Sequence, residues 1–306
     1  MIKVSVVVPV YNNAVGLDKL LSALEIQSFP RELVEIIVVD NGSIDESVAV
    51  AVSHQSRNLI RILSEQTTKG SYASRNAGIQ RARGDVLAFT DADCVPPNNW
   101  VSVAQSLFDS RPEISRLAGP IELAFRSGPL TTVELFEKVF AFQQKEAASQ
   151  GWAITANMFV RRTVFEAIGL FDSELKSGGD REWGLRAAAA GHTIRFYPDL
   201  RVEHAARFTW DQLYKKHARM LGSRWILARR AFRKTPSLAS VITANFPLHG
   251  VTQRVSWFPG AKRALATTLL MSPIQRLQVL AAIVFITCIN ISEYLRLRLG
   301  GQPRRE

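Results

Sequence analysis

Apolar and polar positions alternate in blocks along the first hundred residues. Val4–Val8 is a run of β-branched residues ending at Pro9, the pattern of a buried strand. Asn13 then offers an N-cap to a helix whose Leu17, Leu20, Leu21 and Leu24 repeat at offsets 0, 3, 4 and 7, with Phe29-Pro30 as its stop. Val34–Val39 is a second apolar run. The turn Asp40-Asn41-Gly42-Ser43 follows it, and then a helix through Val52. Leu59–Leu63 predicts a third strand. Ser71 predicts the cap of a helix reaching Arg83, with Gly84 at its C-terminus. Val86–Thr90 is a fourth strand, running into Asp91-Ala92-Asp93.

Continuously apolar strands separated by helices predict an α/β fold: a mainly parallel sheet covered by helices on both faces. In such sheets ligands bind beyond the carboxyl ends of the strands. Tyr11-Asn12-Asn13, Asp40 and the Asp91/Asp93 pair follow strands one, two and four, so all three clusters fall at one sheet edge. The pattern therefore predicts a nucleotide-type cleft.

Beyond residue 130 the periodicity predicts a helix over Val133–Ala148, a strand over Ala156–Val160, a short helix over Thr163–Ile168, a stronger helix over Arg181–Ala190 ended by Gly191, and a final strand over Ile194–Tyr197. After His204 the composition changes. A long basic helix is expected over Asp211–Arg233, then a charge-poor stretch with three prolines over Thr235–Pro259, then an apolar helix near the end. The division this predicts is a catalytic domain over 1–205 and a basic helical region over 206–306, with its apolar helix at about 277–295.

Charge sharpens that division. The chain of 306 residues carries a net charge of +11, yet residues 1–200 hold 20 Lys/Arg against 23 Asp/Glu, while 201–306 hold 18 against 4. A segment so basic is drawn to an anionic partner. No nucleic-acid-reading motif or aromatic–basic platform accompanies it, so nucleic acid is not the expected partner. Leu277 to Ser292 is uncharged over 16 residues, about 24 Å of helix against the roughly 30 Å of a bilayer core. Arg296, Arg298, Arg304 and Arg305 follow. This predicts a helix that embeds in, or marginally spans, an acidic cytoplasmic leaflet; the alternative is a helix packed on the catalytic domain. The N-terminus has no basic leader and no small-residue cleavage site, and Cys94 and Cys288 are the two cysteines, so a cytoplasmic, reducing location is expected, at the inner face of the cell membrane.

Several residues carry candidate chemistry. Asp91 and Asp93 can divide ribose hydroxyls and a hard divalent cation between them, or form a solvated turn. Asp40 either accepts a base N–H or closes an Asx-type turn. Gly70–Asn76 places Arg75 on the first turns of a helix, where the N-terminus favours phosphate. Asp180, after Gly178-Gly179, starts a helix either as its N-cap or as a general base. Glu182 reads as a first-turn helix acid, and His204 as a metal ligand or a structural histidine. No phosphate-cradling Gly-x-x-x-x-Gly-Lys-Ser/Thr loop and no Gly-x-Gly-x-x-Gly follows the first strand, which argues against P-loop and dinucleotide-binding proteins.

Together these segments resemble the family 2 glycosyltransferases of GT-A fold. The resemblance runs through Val4-Ser-Val-Val-Val-Pro-Val-Tyr-Asn12, Val38-Val-Asp-Asn-Gly-Ser43, Ala73-Ser-Arg-Asn-Ala-Gly78 and Phe89-Thr-Asp-Ala-Asp-Cys94 with Trp100 behind it. It continues through Ala156-Asn-Met-Phe-Val-Arg-Arg162, Gly169-Leu-Phe-Asp172 and Gly179-Asp-Arg-Glu-Trp-Gly-Leu-Arg186, and covers roughly residues 3–205. It implies an inverting, metal-dependent transfer of a sugar from a nucleoside diphosphate, with uracil as the expected base, to an acceptor hydroxyl on a lipid or a glycan such as a surface polysaccharide. Pro9 and Tyr11 would line the base pocket, Asp40 would bond the base, Asp91 the ribose side, and Arg75 the donor's phosphate or sugar. Asp93, with His204, would hold manganese or magnesium, and Asp180 would be the base, with Glu182 as runner-up. One departure is plain: Gly179 stands where the family carries an acid. The competing readings are a sugar nucleotidyltransferase and a non-catalytic nucleotide-sugar-binding or assembly protein. The former would want a basic glycine-rich loop, and Tyr11–Leu17 has no Lys or Arg.

Overall fold

A computed structural model describes residues 1–55, 59–234 and 266–304. The proline-containing stretch expected over 235–259 lies outside the described residues. The chain divides into two compact units. The first comprises Met1–Ala124, Gln144–Glu174 and Gly179–Ala205, and the second Phe125–Gln143, Leu175–Gly178 and Ala206–Glu306.

The first unit is built on a seven-stranded sheet. Strands β1 (Val4–Val10), β2 (Val34–Asp40), β3 (Ile60–Ser64) and β4 (Val86–Thr90) alternate with helices α1 (Ala14–Glu25), α2 (Ser47–Ser53) and α3 (Ser71–Arg81). They pair in parallel in the order β3-β2-β1-β4. Val4, Val6, Val7 and Val8 are fully buried, as a strand covered on both faces requires. Leu17, Leu20, Leu21 and Leu24 form the buried face of α1, and Asn13 caps it by accepting from the Gly16 N–H at 3.2 Å. Helix α3 begins at Ser71 itself, with Gly70 at the cap position, one residue ahead of the expected cap. Pro9 lies within β1 instead of ending it. It is tolerated because the pairing of β1 with β4 stops at Val7, so beyond that point β1 pairs with β2 alone.

Helix α4 (Trp100–Ser110) follows the short β5 (Cys94–Val95), and β6 (Arg116–Ala118) and β7 (Ile121–Ala124) come next. Helix α5 is Thr132–Phe140 and α6 is Gln144–Ser149. The single helix expected over 133–148 is thus two, broken where Phe142 takes a φ of +48°. β8 (Asn157–Arg161) runs antiparallel between β4 and β6, and β9 (Ile194–Phe196) pairs in parallel with β6, completing the order β3-β2-β1-β4-β8-β6-β9. Helices α7 (Arg162–Ile168) and α8 (Gly179–Ala189) connect β8 to β9. A second, three-stranded sheet, β5-β10-β7, is completed by β10 (Val202–Ala205).

The second unit packs α5 with α9 (Trp210–Lys234) and α10 (Pro273–Arg298). Val133 and Phe136 meet Leu213, Ala282 and Ile286, while Leu135 and Val139 meet Met271 and Val279. Ser272 and Gln275 form a capping box ahead of α10, with Pro273 at its first position. The helix is 26 residues long, about 39 Å, which exceeds the stretch expected at 277–295.

Candidate active site

The carboxyl ends of β1, β2 and β4 are stitched together by side chains of the loops that follow them. Register pairs Pro9 with Val39 and Val10 with Asp40, which puts Tyr11 beside the Asp40 turn. Both Asp40 oxygens accept from their own turn, Oδ2 from Gly42 N–H at 3.0 Å and Oδ1 from Ser43 N–H at 3.1 Å, and the residue is 5% exposed. Asn41 ties this edge to the entrance of α3. Its amide donates to the carbonyls of Glu65 and Thr68, and its oxygen accepts from Gly70 N–H at 2.7 Å. Asp45 accepts from Ala14 N–H and from the Ser47 hydroxyl at 2.6 Å. These hydrogen bonds outweigh the opposing effect of desolvation and hold its carboxyl below the usual range. Asn41 and Asp45 escaped the sequence reading because each resembles an ordinary turn residue; only long-range contacts reveal their work.

Arg75, on α3, is a buried cation rather than a surface one, at 3% exposure. Its Nη2 donates to Asp91 Oδ1 at the end of β4, its guanidinium lies 5.5 Å from the Tyr72 ring centroid, and its Nε has no partner. The α3 and β4 residues singled out in the sequence thus meet directly. Helix α1 closes on the same turn: a Cβ at Gly16 would come within 2.7 Å of the Ala92 carbonyl oxygen.

Asp93 meets His204 through the small sheet. β10 runs antiparallel to β5 with His204 opposite Cys94, and the Ala205 N–H reaches the Asp93 carbonyl at 3.3 Å. The His204 Nδ1 lies 2.8 Å from the Ala205 carbonyl, where only a donor fits, and its Nε2 stands 3.2 Å from Asp93 Oδ1. With Nδ1 protonated, Nε2 facing a carboxylate oxygen requires a proton or a cation between them. Asp93, Cys94 and His204 bring their ligand atoms within 4.8 Å of one another. The Cys94 thiol differs from the other two: burial, then the Asp91 and Asp93 charges, push it well above its ordinary pKa, and its Sγ donates to the Ala156 carbonyl at 3.7 Å. The remaining oxygen and imidazole donors suit manganese or magnesium.

Asp180 lies in the first turn of α8 and is 8% exposed. Oδ1 accepts from the Tyr72 hydroxyl at 3.1 Å and from Arg181 N–H at 2.8 Å, and the Thr155 amide also bonds the carboxylate. Desolvation raises its pKa, against these hydrogen bonds and the Arg75 charge. Glu182 is engaged elsewhere, with Oε1 and Oε2 accepting from Arg186 Nε and Nη2 at 2.8 and 3.1 Å. Trp100, behind the Asp91–Cys94 turn, donates its indole N–H to Asn157 Oδ1 at 3.0 Å and serves the frame.

A mostly parallel sheet flanked by helices, with acidic residues and a buried arginine at the carboxyl ends of its parallel strands, is the GT-A fold. Solved structures carry the same fold. TarS residues 1–349 from Staphylococcus aureus in complex with UDP-GlcNAc align with a TM-score of 0.59 at 17% identity, covering 99% of this chain and 93% of that one. The mannosyltransferase PcManGT from Pyrobaculum calidifontis, in complex with GDP-Man and manganese, aligns at 0.61 and 18%, covering 94% and 87%.

Family assignment rests on sequence. "Glycosyl transferase family 2" matches residues 5–169, and "Glycosyl transferase family group 2" matches 89–290. The glycosyltransferase AglE of Haloferax volcanii is 36% identical over 258 residues, 82% of this chain and 84% of that protein. The pre-mycofactocin glycosyltransferase of Mycobacterium tuberculosis is 30% identical over 243 residues, 77% of this chain but 49% of that protein. The chain belongs to the family 2 glycosyltransferases. It is a glycosyltransferase enzyme.

Proposed function

We propose that the enzyme moves a sugar from a nucleoside diphosphate, UDP by preference, to an acceptor hydroxyl on a lipid or glycan, with inversion at the anomeric carbon and with a divalent cation on the diphosphate. The observation that carries this reading is the Asp93–His204 contact at 3.2 Å with Nδ1 committed to a carbonyl, which leaves two oxygen-and-nitrogen donors aimed at one point. Asp93 and His204 would hold manganese or magnesium, which supplies Lewis-acid stabilisation of the departing diphosphate when bound. Asp91 bonds the ribose side, and Arg75, with Nε unpartnered, faces the donor phosphates. Pro9 and Tyr11 line the base pocket, and Asp40 keeps lone pairs for a base N–H beyond those its turn consumes.

Asp180 accepts the proton of the acceptor hydroxyl as that oxygen bonds the anomeric carbon and the bond to the β-phosphate oxygen breaks. Its raised pKa suits a base that must pick up a proton near neutrality. The engagement of Glu182 with Arg186 favours Asp180 over it in this role. Calorimetric titration with UDP and GDP, each with manganese and with chelator, tests the donor assignment. Manganese-dependent UDP binding is expected, GDP binding alone would reassign the base, and chelator-insensitive binding would overturn the metal site. The single displacement is tested by the anomeric configuration of the product.

The membrane partner belongs to the second unit. Helix α10 is long and apolar enough to cross a bilayer, with a mean hydropathy of 1.8 over its best window. Its face of Val279, Ala282, Ile286, Ile289, Glu293 and Leu297 is buried, however. About half a turn around the helix, Leu277, Leu280, Val284, Ile291 and Leu295 are exposed, from 44% to 66%. A helix packed on one face and bare on the other fits the membrane interface, with Arg298 available to anionic headgroups; this supports an enzyme that works at the cytoplasmic face of the cell membrane. Flotation with vesicles containing anionic lipid should carry the protein, and Leu277→Ser with Leu280→Ser and Val284→Ser should abolish it. Equal flotation of wild type and variant would overturn the interface.

A further inference from the structure

We propose that Tyr72 is the positioning residue of Asp180: its ring, seated against Gly179, fixes the carboxylate on the first turn of α8 in the orientation that meets the acceptor hydroxyl. This inference rests on Asp180 as the base.

Tyr72 sits in the first turn of α3, 5% exposed, and its hydroxyl donates to Asp180 Oδ1 across 108 positions of sequence. The ring has little freedom to swing. Phe171 packs against it at 5.6 Å between centroids, and the Arg75 guanidinium stands 5.5 Å from its centre. On another side, a Cβ built on Gly179 would lie 2.8 Å from Tyr72 Cε2 and 2.9 Å from Cδ2. No side chain fits at 179 while the ring is in place. This is the physical reason that position holds glycine, and it makes Tyr72 and Gly179 one device. The phenol stays a donor throughout the working range, because burial, followed by the Asp180 charge, raises its pKa far above the ordinary tyrosine value. With the Tyr72 hydroxyl and Arg181 N–H both on Oδ1, rotation of the carboxylate about χ2 is held.

The hydroxyl also favours the ionised form of Asp180, since a hydrogen bond to a carboxylate stabilises it. Removing the hydroxyl alone, in Tyr72→Phe, leaves ring packing intact. The expected result is a kcat lower by about tenfold and an acid limb of the kcat–pH profile moved up by roughly half to one unit. The donor KM and manganese-dependent UDP binding should stay at wild-type values, while the melting temperature should fall by a few degrees for the lost hydrogen bond. Gly179→Ala, which displaces the ring, should lower kcat in the same direction.

Asp180→Asn, measured alongside, separates the two assignments. If Asp180→Asn is inactive while Tyr72→Phe keeps wild-type kcat and acid limb, the positioning role fails and Asp180 stands. If Asp180→Asn still transfers sugar, the base assignment fails and the Tyr72 inference falls with it. A kcat loss in Tyr72→Phe with an unmoved acid limb would mark the tyrosine as merely structural.

Discussion

Asp93 and His204 face each other through Oδ1 and Nε2 at 3.2 Å, and the second nitrogen of that imidazole is spent on the Ala205 carbonyl. A hydrogen bond at Nδ1 fixes both the ring orientation and the tautomer, which is how a histidine ligand is prepared for a metal. His204→Ala is therefore expected to weaken manganese-dependent UDP binding by at least about tenfold, while binding in chelator is unchanged. Titration of the nucleotide at several manganese concentrations checks it. An unchanged manganese dependence would show that the cation is held without His204.

The Glu182–Arg186 pair separates two neighbouring acids of α8. Arg186 also donates to the carbonyls of Ile168 and Leu170, so the pair pins the end of α7 to α8. Glu182→Gln is expected to leave kcat within twofold of wild type and to cost about 0.5 kcal/mol of stability, the modest value of a partly exposed ion pair. Asp180→Asn should instead reduce kcat by about a thousandfold with UDP affinity retained. Steady-state kinetics and calorimetry on both variants read the contrast directly.

Much of this architecture is legible before any coordinates. Mostly apolar runs gave β1 to β4, and the four leucines at helical spacing with Asn13 ahead of them gave α1, cap included. The elements that complete the site were hidden for physical reasons. β5 has two residues and β10 four, too few for a period of two to register, and only their mutual pairing brings His204 to Asp93. Residues 133–148 carry an unbroken helical pattern, and nothing local marks the turn at Phe142. Tyr72 looks like an ordinary residue in the first turn of a helix, and Arg75, although marked as a candidate cation there, gives no local sign of its burial. Their burial depends on Asp91 and Asp180, which lie 16 and 108 positions away in the chain.

His54 provides a pH test that is independent of catalysis. It is 4% exposed between α1 and α2, its Nε2 2.9 Å from Asp18 Oδ1 and its Nδ1 bonded to Glu25. Burial alone would lower its pKa, but the two carboxylates outweigh it and raise the value above 6.5. A raised pKa stabilises the fold fully below the unfolded value and loses that contribution as pH rises through the folded one. His54→Gln should therefore reduce the urea midpoint more at pH 6 than at pH 8.5. An equal reduction at both would mean that the histidine is neutral in the fold.

Glu137 holds the second unit together by charge. It is fully buried on α5 and accepts from Arg207 Nη1 at 2.9 Å and from Lys216 Nζ at 2.7 Å. Desolvation works against its ionised form, yet the Lys216 and Arg207 charges win and bring its pKa down to about 2. Lys216 is pushed down to about 8 by burial first and by Arg207 second. Glu137→Gln keeps the volume and removes the charge, leaving two mostly buried cations without their counter-ion. The expected loss is about 2–3 kcal/mol, the lower range for breaking a buried pair because both cations keep some solvent. The sign with pH also reverses. Wild type loses the Glu137 contribution as pH falls from about 4.5 toward 2. The variant should instead gain stability as pH rises through the Lys216 range, since deprotonation removes one of the stranded charges. Urea denaturation of wild type and variant from pH 2 to pH 10 measures both, and a variant whose deficit is constant across that range would show that the pair contributes packing alone.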